Sequence, residues 1–323
     1  MTFAAAAARA ALTAASRDRL SVLIYHRVPQ RPDALLPGEP GAAEFESTMQ
    51  WVKSVFNVIP LTEGIAGLRN AKLPVRALAI TFDDGYANNA KVAAPILRRL
   101  GLPATFFIAT GFLDGGRMFN DTVIEAVRGF RGDMLDLSAV DLGTHAMVTL
   151  DERRAAIDEI LAGIKYRPEG ERVELAERVA EIASVQPPAD LMMTSEEAAG
   201  LVRDGFELGG HTVSHPILAQ VDAATARDEI VRGRARVDEL SGRPTRLFAY
   251  PNGRPQRDYV AASSELVKEL GFDGAVSTSR GAARVGSDPY EVPRFTPWRR
   301  TPLRFCAQLL DNMTRAAPVY ARR

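Results

Sequence analysis

Cysteine is almost absent from this chain of 323 residues, and its charges cancel. The single cysteine, Cys306, excludes an intrachain disulfide, so a reducing compartment is allowed. We interpret Cys306 as a small apolar filler on a C-terminal helix. Lysine plus arginine and aspartate plus glutamate both number 40, which gives a formal net charge of zero. The overall field therefore gives no reason to expect nucleic acid or an anionic membrane as a partner.

Long apolar runs are also missing. No window reaches the roughly 20 apolar residues of a membrane helix, so we predict no transmembrane segment. The N-terminal alanine run has no cationic start and is interrupted by Arg9, which is unlike a secretory signal peptide. Alanine favours helices, so we expect a helical extension over residues 1–20. We expect a cytoplasmic protein, with a periplasmic or extracellular location as the alternative.

Short apolar runs alternate with segments of helical spacing, which predicts an α/β fold with a mostly parallel sheet, open or closed. Gly101, Gly205 and Gly271 follow three of these segments as helix-ending signals. The predicted strands are Ser21–Tyr25, Ala77–Phe82, Ala104–Ile108, Phe206–Gly209, Arg246–Tyr250 and Gly274–Ser277. The predicted helices are Asn89–Leu100, Ser195–Asp204, Thr225–Leu240 and Tyr259–Leu270.

One long segment interrupts the alternation. Residues 112–190, approximately, are charged and rich in helix formers, and Pro187 and Pro188 close the segment. We interpret it as a helical insertion within a main domain over residues 21–300, which a helical tail over residues 301–323 follows. His145 lies in the insertion and matches no motif, so we expect it to be structural or solvent-facing.

Polar side chains follow four predicted strands at the point where each strand ends. They are His26, then Asp83-Asp84-Gly85, then His211 to His215, then Pro251-Asn252-Gly253. Ligands of parallel α/β folds bind at the carboxyl ends of the strands, where the strand-to-helix loops converge. Three of the four histidines therefore fall on one predicted rim.

The acid pair and the histidine pair each have an ordinary alternative. Asp83 and Asp84 point to opposite sides of a strand unless Gly85 turns the backbone, and one of them could simply cap a helix. His211 and His215 would share one face of a helical turn, although a core histidine is the common alternative. Two imidazole nitrogens and a carboxylate suit one divalent ion, Zn²⁺ first, with Co²⁺, Mn²⁺ and Fe²⁺ as alternatives.

Three motifs resemble those of the NodB-type polysaccharide deacetylases, carbohydrate esterase family 4. They are Thr81–Gly85 (TFDDG), His211–Pro216 (HTVSHP) and Tyr250–Gly253 (YPNG), and the resemblance extends over about Ser21 to Trp298. It implies a distorted seven-stranded (β/α) barrel. It also implies that Asp83 is the catalytic base and that Asp84, His211 and His215 hold the metal.

The chain departs from the family pattern at two positions. Ala249 stands where many members have the arginine that orients the base, and no histidine follows His215. The circularly permuted branch of exopolysaccharide deacetylases, of the poly-N-acetylglucosamine type, carries its histidine acid on an N-terminal strand that ends in Tyr-His. Tyr25-His26 matches that pattern, so we expect His26 to be the general acid. Arg294 is the candidate for orienting the base, with a surface role as the alternative.

The resemblance implies hydrolysis of N-acetyl groups from the amino sugars of a glycan, with release of acetate. The backbone N–H of Asn252 would stabilise the oxyanion. Tyr250 and Trp298 would stack on a sugar ring or pack in the core. Two alternatives stay open, a related metal-dependent amidase acting on a small or cyclic amide and a non-catalytic glycan-binding relative.

Overall fold

The apolar runs form the parallel strands of one curled sheet. The structure is a computed structural model that describes residues 10–297, 301–314 and 318–321. The sheet has the strand order β10-β1-β3-β4-β7-β8-β9, and β2 pairs with the first residues of β3. All of these pairings are parallel except that of β10 with β1. The strands are β1 (Arg19–Tyr25), β2 (Asn57–Val58), β3 (Ala77–Phe82), β4 (Thr105–Ile108), β5 (Met134–Asp136), β6 (Thr144–Ala146), β7 (Glu207–Gly210), β8 (Leu247–Ala249), β9 (Gly274–Val276) and β10 (Ala283–Arg284).

An irregular segment, residues 292–295, closes the barrel. Val292 forms a parallel bridge with Val276 of β9, and Phe295 forms one with Leu23 of β1. The same closure brings side chains from β1, β3, β4, β8 and β9 into one buried cluster, which a flat sheet could not do. With this segment the barrel has seven parallel members, as the motifs imply.

The helices cover the outside of the barrel. Gly101, Gly205 and Gly271 follow three of them with positive φ, as predicted. A π-helical turn, Asn89–Ala93, precedes the third helix. The helices are α1 (Ala42–Val55), α2 (Leu61–Asn70), α3 (Ala94–Leu100), α4 (Phe119–Gly129), α5 (Leu150–Ile164), α6 (Glu169–Ile182), α7 (Ser195–Arg203), α8 (Ala223–Ser241), α9 (Ala261–Glu269) and α10 (Pro302–Thr314). None of the helices in the described ranges combines the length and the apolar composition that a bilayer crossing requires.

The insertion is helical, but it also contains a hairpin that was not predicted. Helices α4, α5 and α6 pack with the antiparallel strands β5 and β6 around one hydrophobic cluster, to which Leu35 and Leu36 of the loop after β1 also contribute. His145 lies on β6 and is buried, with Nδ1 3.2 Å from a carboxylate oxygen of Glu159 and Nε2 2.8 Å from the carbonyl oxygen of Leu142. Its role is therefore structural.

The ends of the chain carry short helical segments. Residues 10–15 are helical before β1 begins, within the predicted N-terminal extension. Cys306 lies on α10, is buried, and belongs to the apolar cluster that packs outside the barrel. It is therefore an apolar core residue, as interpreted from the sequence.

Candidate metal and catalytic centre

Three potential metal ligands meet at the carboxyl ends of β3 and β7. Oδ1 of Asp84 lies 3.3 Å from Nε2 of His211 and 3.5 Å from Nε2 of His215. One ligand atom from each residue lies within 4.8 Å of the other two. Donor atoms on a tetrahedral ion with bonds of about 2.1 Å lie roughly 3.4 Å apart, so the donor set fits a divalent ion such as Zn²⁺.

The two adjacent aspartates are separated by a turn in the backbone. Asp84 has φ +77° and Gly85 has φ +92°, and the Gly85 N–H donates to the Asp83 carbonyl at 3.0 Å. A left-handed conformation at a residue other than glycine costs free energy, so the surrounding structure must hold it in place. The turn lets both carboxylates reach the same site, as the sequence predicted for Gly85.

The two histidines do not lie on a helical turn, and that expectation was wrong. Residues 211–215 form a loop after β7, in which Thr212 has φ +66° and His215 has φ +56°. The Thr212 hydroxyl accepts the His215 N–H at 3.1 Å. The two imidazole rings meet edge to face, with centroids 4.7 Å apart, because this loop folds back on itself.

Glu229 of α8 holds the histidine loop and was not predicted from the sequence. Its carboxylate accepts the backbone N–H groups of Val213 and Ser214, both at 2.9 Å, and the Ser214 hydroxyl at 3.0 Å. Glu229 lies three residues after Ala226 on the buried face of the helix. An acid at a helical position that faces the core was the signal that could have revealed it.

A backbone carbonyl fixes the orientation of His211. Nδ1 of His211 lies 2.8 Å from the Ala249 carbonyl oxygen, which requires a proton on Nδ1. Nε2 is then the nitrogen that faces Asp84, and this is the ring orientation that metal-ligating histidines adopt. Ala249 thus contributes its backbone at the position where other family members carry an arginine.

Arg294 supplies a guanidinium to Asp83 from the closing segment. Its two terminal nitrogens donate to the two Asp83 oxygens, each at 2.6 Å, and Nε donates to the Ser277 carbonyl at 3.0 Å. One terminal nitrogen also lies 3.2 Å from the Thr81 hydroxyl oxygen. Arg294 and Asp83 are both buried, so the surface alternative for Arg294 is excluded.

The electrostatics of the site keep the aspartates charged and His215 neutral. Burial raises the pKa of Asp83, but the charge and hydrogen bonds of Arg294 and the nearby His211 and His26 together outweigh burial and hold that pKa below its usual value. For Asp84, the hydrogen bond with His211 and the nearby histidines likewise outweigh burial and lower its pKa. Burial lowers the pKa of His215 to about 3. A charged carboxylate and a neutral imidazole are the forms that bind a metal ion.

His26 lies on the same cavity as the metal ligands. The cavity has a volume of about 690 Å³, and its wall includes Asp83, Asp84, both loop histidines and the half-buried His26. The end of β1 is fixed because Nδ2 of Asn89 donates to the His26 carbonyl at 2.8 Å. Helices α4 and α5 of the insertion form another part of the wall.

A buried aspartate joins the insertion to the barrel beside this cavity. Oδ1 of Asp121, on α4, accepts the Tyr86 hydroxyl at 3.2 Å and lies 3.5 Å from a terminal nitrogen of Arg27. Burial and the charge of Asp84 raise the pKa of Asp121, Arg27 opposes them, and the resulting pKa is about 7. No role was predicted for Asp121, because it is one acid among many in a charged segment.

The structure treats the three candidate substrate contacts, Tyr250, Asn252 and Trp298, differently. The Tyr250 ring is buried against Tyr259 at a centroid distance of 3.8 Å, and its hydroxyl donates to the Tyr290 carbonyl at 2.9 Å. Stacking of Tyr250 on a sugar is therefore excluded, and core packing explains the residue. Asn252 lines the cavity with φ +58°, and within the described ranges its N–H donates to no protein acceptor. Trp298 lies outside the described residues.

The fold and the site together define a class of protein. An α/β barrel presents a triad that could hold a metal ion beside a charged carboxylate, and hydrolases that use a divalent ion combine such groups. The chain belongs to the polysaccharide deacetylase family, because the family model matches residues 70–147 and 174–274, more than half of the chain. The unmatched residues between these two ranges lie in the insertion.

Individual relatives agree with the family. YxkH of Bacillus subtilis is 29% identical over 278 residues, which cover 85% of this chain and 70% of that protein. The poly-beta-1,6-N-acetyl-D-glucosamine N-deacetylase of Staphylococcus aureus is 37% identical over 70 residues, which cover 21% of this chain and 24% of that protein. The structure of IcaB from Ammonifex degensii has a TM-score of 0.61 at 19% identity and covers 91% of this chain and 97% of that chain. The expected family, barrel fold and polysaccharide deacetylase class are confirmed.

Proposed function

We propose that this chain hydrolyses N-acetyl groups from glucosamine-type units of a glycan, releasing acetate and leaving a free amine. One observation carries the proposal. The triad of Asp84, His211 and His215, the Asp83–Arg294 pair and His26 all face one cavity of about 690 Å³. The Staphylococcus aureus relative, named as an N-deacetylase of poly-beta-1,6-N-acetyl-D-glucosamine, supports the N-acetylglucosamine unit as substrate.

The ion that we propose for the triad is Zn²⁺. Two imidazole nitrogens and one carboxylate oxygen suit it, and Co²⁺, Mn²⁺ and Fe²⁺ accept the same donors. Held by Asp84, His211 and His215, such an ion would supply polarisation of the acetyl carbonyl and a water nucleophile near neutral pH. Asp84 is the ligand of the aspartate pair because its Oδ1 faces both histidines, whereas both oxygens of Asp83 bond Arg294.

We assign Asp83 as the general base. Arg294 keeps the Asp83 carboxylate ionised and fixes its plane, while each carboxylate oxygen retains a second lone pair that can accept a proton from water. A base that is oriented in advance and needs no rearrangement contributes through geometry as well as through its pKa. Arg294 thus acts through Asp83 and is a positioning residue.

His26 and Asn252 complete the assignment from the other walls of the cavity. His26, at the end of β1, protonates the departing amine, which is a poor leaving group without a proton. The N–H of Asn252 donates to the oxyanion that forms on the acetyl oxygen, since it has no acceptor within the described protein. The left-handed backbone at Asn252 belongs to the turn that presents this group.

The test measures acetate release from N-acetylglucosamine oligomers by the purified protein. Release should stop after treatment with a chelator and return when Zn²⁺ or Co²⁺ is added back. Asp83→Asn should retain the metal and lose two to four orders of magnitude in kcat, the usual contribution of a positioned base. Acetate release that survives complete metal removal would overturn the proposal. Joint loss of metal and rate in Asp83→Asn would show that the two aspartates have been assigned in reverse.

A further inference from the structure

Three cationic side chains line the same cavity as the proposed catalytic residues. Lys165 directly follows α5 of the insertion, Arg254 follows the turn after β8, and Arg280 lies in the loop after β9. They come from three separate elements, so their presence on one cavity does not follow from one local run of basic sequence. We call these three residues the cationic wall.

The charges of the cationic wall are not held in ion pairs by the described residues. None of its three members forms a salt bridge in the part of the chain that the structure describes. Arginines elsewhere on the surface commonly do, as in Arg98 with Asp204 at 2.8 Å and Arg227 with Glu269 at 2.8 Å. Arg254 and Arg280 are exposed and Lys165 is half-buried, and three cations without ion-pair partners on one cavity create a positive potential there.

The acids that lie on or near the cavity form no ion pair with the cationic wall, although the charge of the buried Asp258 acts on Lys165. Asp83 is bonded by Arg294, and Asp84 faces the two histidines. Asp258, which is wholly buried, accepts the backbone N–H of Arg254 at 3.1 Å through Oδ2 and does not line the cavity. No carboxylate of the described cavity wall is therefore left to pair with the three cations.

The surroundings of Lys165 make this wall costly to leave without a counter-charge. Burial lowers the pKa of Lys165, the charge of Asp258 opposes that change, and the nearby charge of Arg254 adds to the lowering. A bound anion would relieve both the repulsion and the loss of solvation. Positive charge at this site does not help the protein to fold, and a neutral substrate would not need it.

We propose that the substrate is an acidic glycan, in which a carboxylate or phosphate group on a unit next to the N-acetylated sugar binds Lys165, Arg254 and Arg280. This inference rests on the proposed function, because it names the substrate class of the same site. Ligand cavities of about 300–1,000 Å³ hold molecules well beyond the size of one acetamido group. The volume of about 690 Å³ therefore accommodates the acetylated sugar and a charged neighbour together. Ammonium and guanidinium groups bind both anions, the guanidinium in a bidentate manner.

The first experiment compares three N-acetylglucosamine trisaccharides that differ in one group on the neighbouring sugar. One is neutral, one carries a carboxylate and one carries a phosphate ester. We expect kcat/KM for acetate release to be on the order of tenfold higher for at least one charged substrate at low salt. This advantage should shrink as the ionic strength is raised, since salt screens the attraction. The preferred charged substrate identifies which anion the site takes.

The second experiment tests the wall itself. Lys165→Gln and Arg254→Gln should each lower the ratio of kcat/KM for the charged over the neutral substrate, by roughly threefold to tenfold. Arg131→Gln is the matched control, because Arg131 is exposed, loses the same charge and does not line the cavity. Its ratio should equal that of the unmodified protein.

The outcomes separate the two proposals. Equal kcat/KM for neutral and charged substrates at low salt would overturn the acidic-glycan inference and leave the deacetylase proposal standing. A ratio that falls as much in Arg131→Gln as in the wall variants would also overturn it, since overall charge would then explain the effect. Acetate release from none of the three substrates, with metal supplied, would overturn the proposed function and the inference together.

Discussion

Replacement of Arg294 by methionine is the most informative single change in this site. It removes two hydrogen bonds of 2.6 Å to Asp83 and the bond of 3.0 Å to the Ser277 carbonyl, while keeping an unbranched apolar stem. The partner left behind is a carboxylate with almost no solvent exposure. Asp83 must then remain charged and unpaired or take up a proton, and either outcome costs free energy.

The expected loss of stability in Arg294→Met follows from the burial of the Asp83–Arg294 pair. Removal of one partner from a buried ion pair typically destabilises a protein by about 3–5 kcal/mol. We expect Arg294→Met to lower the free energy of unfolding by about that amount, as measured by urea denaturation of the metal-loaded protein. We expect kcat to fall at least on the order of a hundredfold, because burial raises the pKa of the unpaired Asp83 and a protonated base cannot accept a proton.

Two further variants make the reasoning refutable even if Arg294→Met folds poorly. The double variant Asp83→Asn, Arg294→Met contains no buried charge at this position, so it should be more stable than Arg294→Met alone. Arg294→Lys keeps the charge but cannot bond both Asp83 oxygens in a fork, so it should retain stability better than activity. An Arg294→Met protein with unchanged unfolding midpoint and unchanged kcat would refute the argument. If the double variant lost as much stability as the two single variants together, the energetic coupling of Asp83 and Arg294 would be refuted.

The remaining predictions concern the metal, the acid and a buried proton. His215→Ala should lose the single divalent ion that the unmodified protein binds, as elemental analysis after dialysis would show, and full occupancy would contradict the ligand assignment. His26→Ala should slow hydrolysis of the N-acetyl amide far more than hydrolysis of an aryl acetate, whose leaving group needs no proton, and equal losses would contradict the role of His26 as an acid. The folded-state pKa of Asp121, about 7, lies above its unfolded value of 3.8, so its proton stabilises the fold at low pH. The chelator-treated protein should lose up to about 4 kcal/mol of stability between pH 4 and pH 7 through this group. Asp121→Asn should abolish that part of the pH dependence in urea titrations at pH 5 and pH 8, and identical curves for both proteins would show that Asp121 ionises normally.

The position of the site could be predicted from the sequence because it depends on strand ends. Each reactive group follows a buried apolar run, and parallel strands bring their carboxyl ends to one rim. His26, Asp84 and His211 therefore reach one cavity as expected. The apolar run that precedes each group was enough to predict its position, because the direction of a strand decides at which rim of the barrel the group lies.

Other features depend on contacts that no local pattern encodes. The closing segment has only four residues and contains Pro293, so it gives no strand signal, although it delivers Arg294 to Asp83. The spacing of His211 and His215 indicated a helix, but a loop with positive φ at two residues brings their rings together. That loop depends on the carboxylate of Glu229, which lies on a helix that follows it in the chain.

The separate packing of the insertion has a consequence for how activity and selectivity can change. Its helices and hairpin pack around one apolar cluster, to which only Leu35 and Leu36 contribute from outside the insertion, while the proposed metal ligands and the Asp83–Arg294 pair are fixed by the barrel. The insertion nevertheless supplies Lys165 and part of α4 to the cavity wall. Sequence drift or protein engineering confined to residues 112–190 can therefore reshape which glycan is accepted without redesign of the catalytic frame. Changes in the barrel cannot be confined to selectivity in this way, because any change that moves the barrel rim alters the chemistry for every substrate.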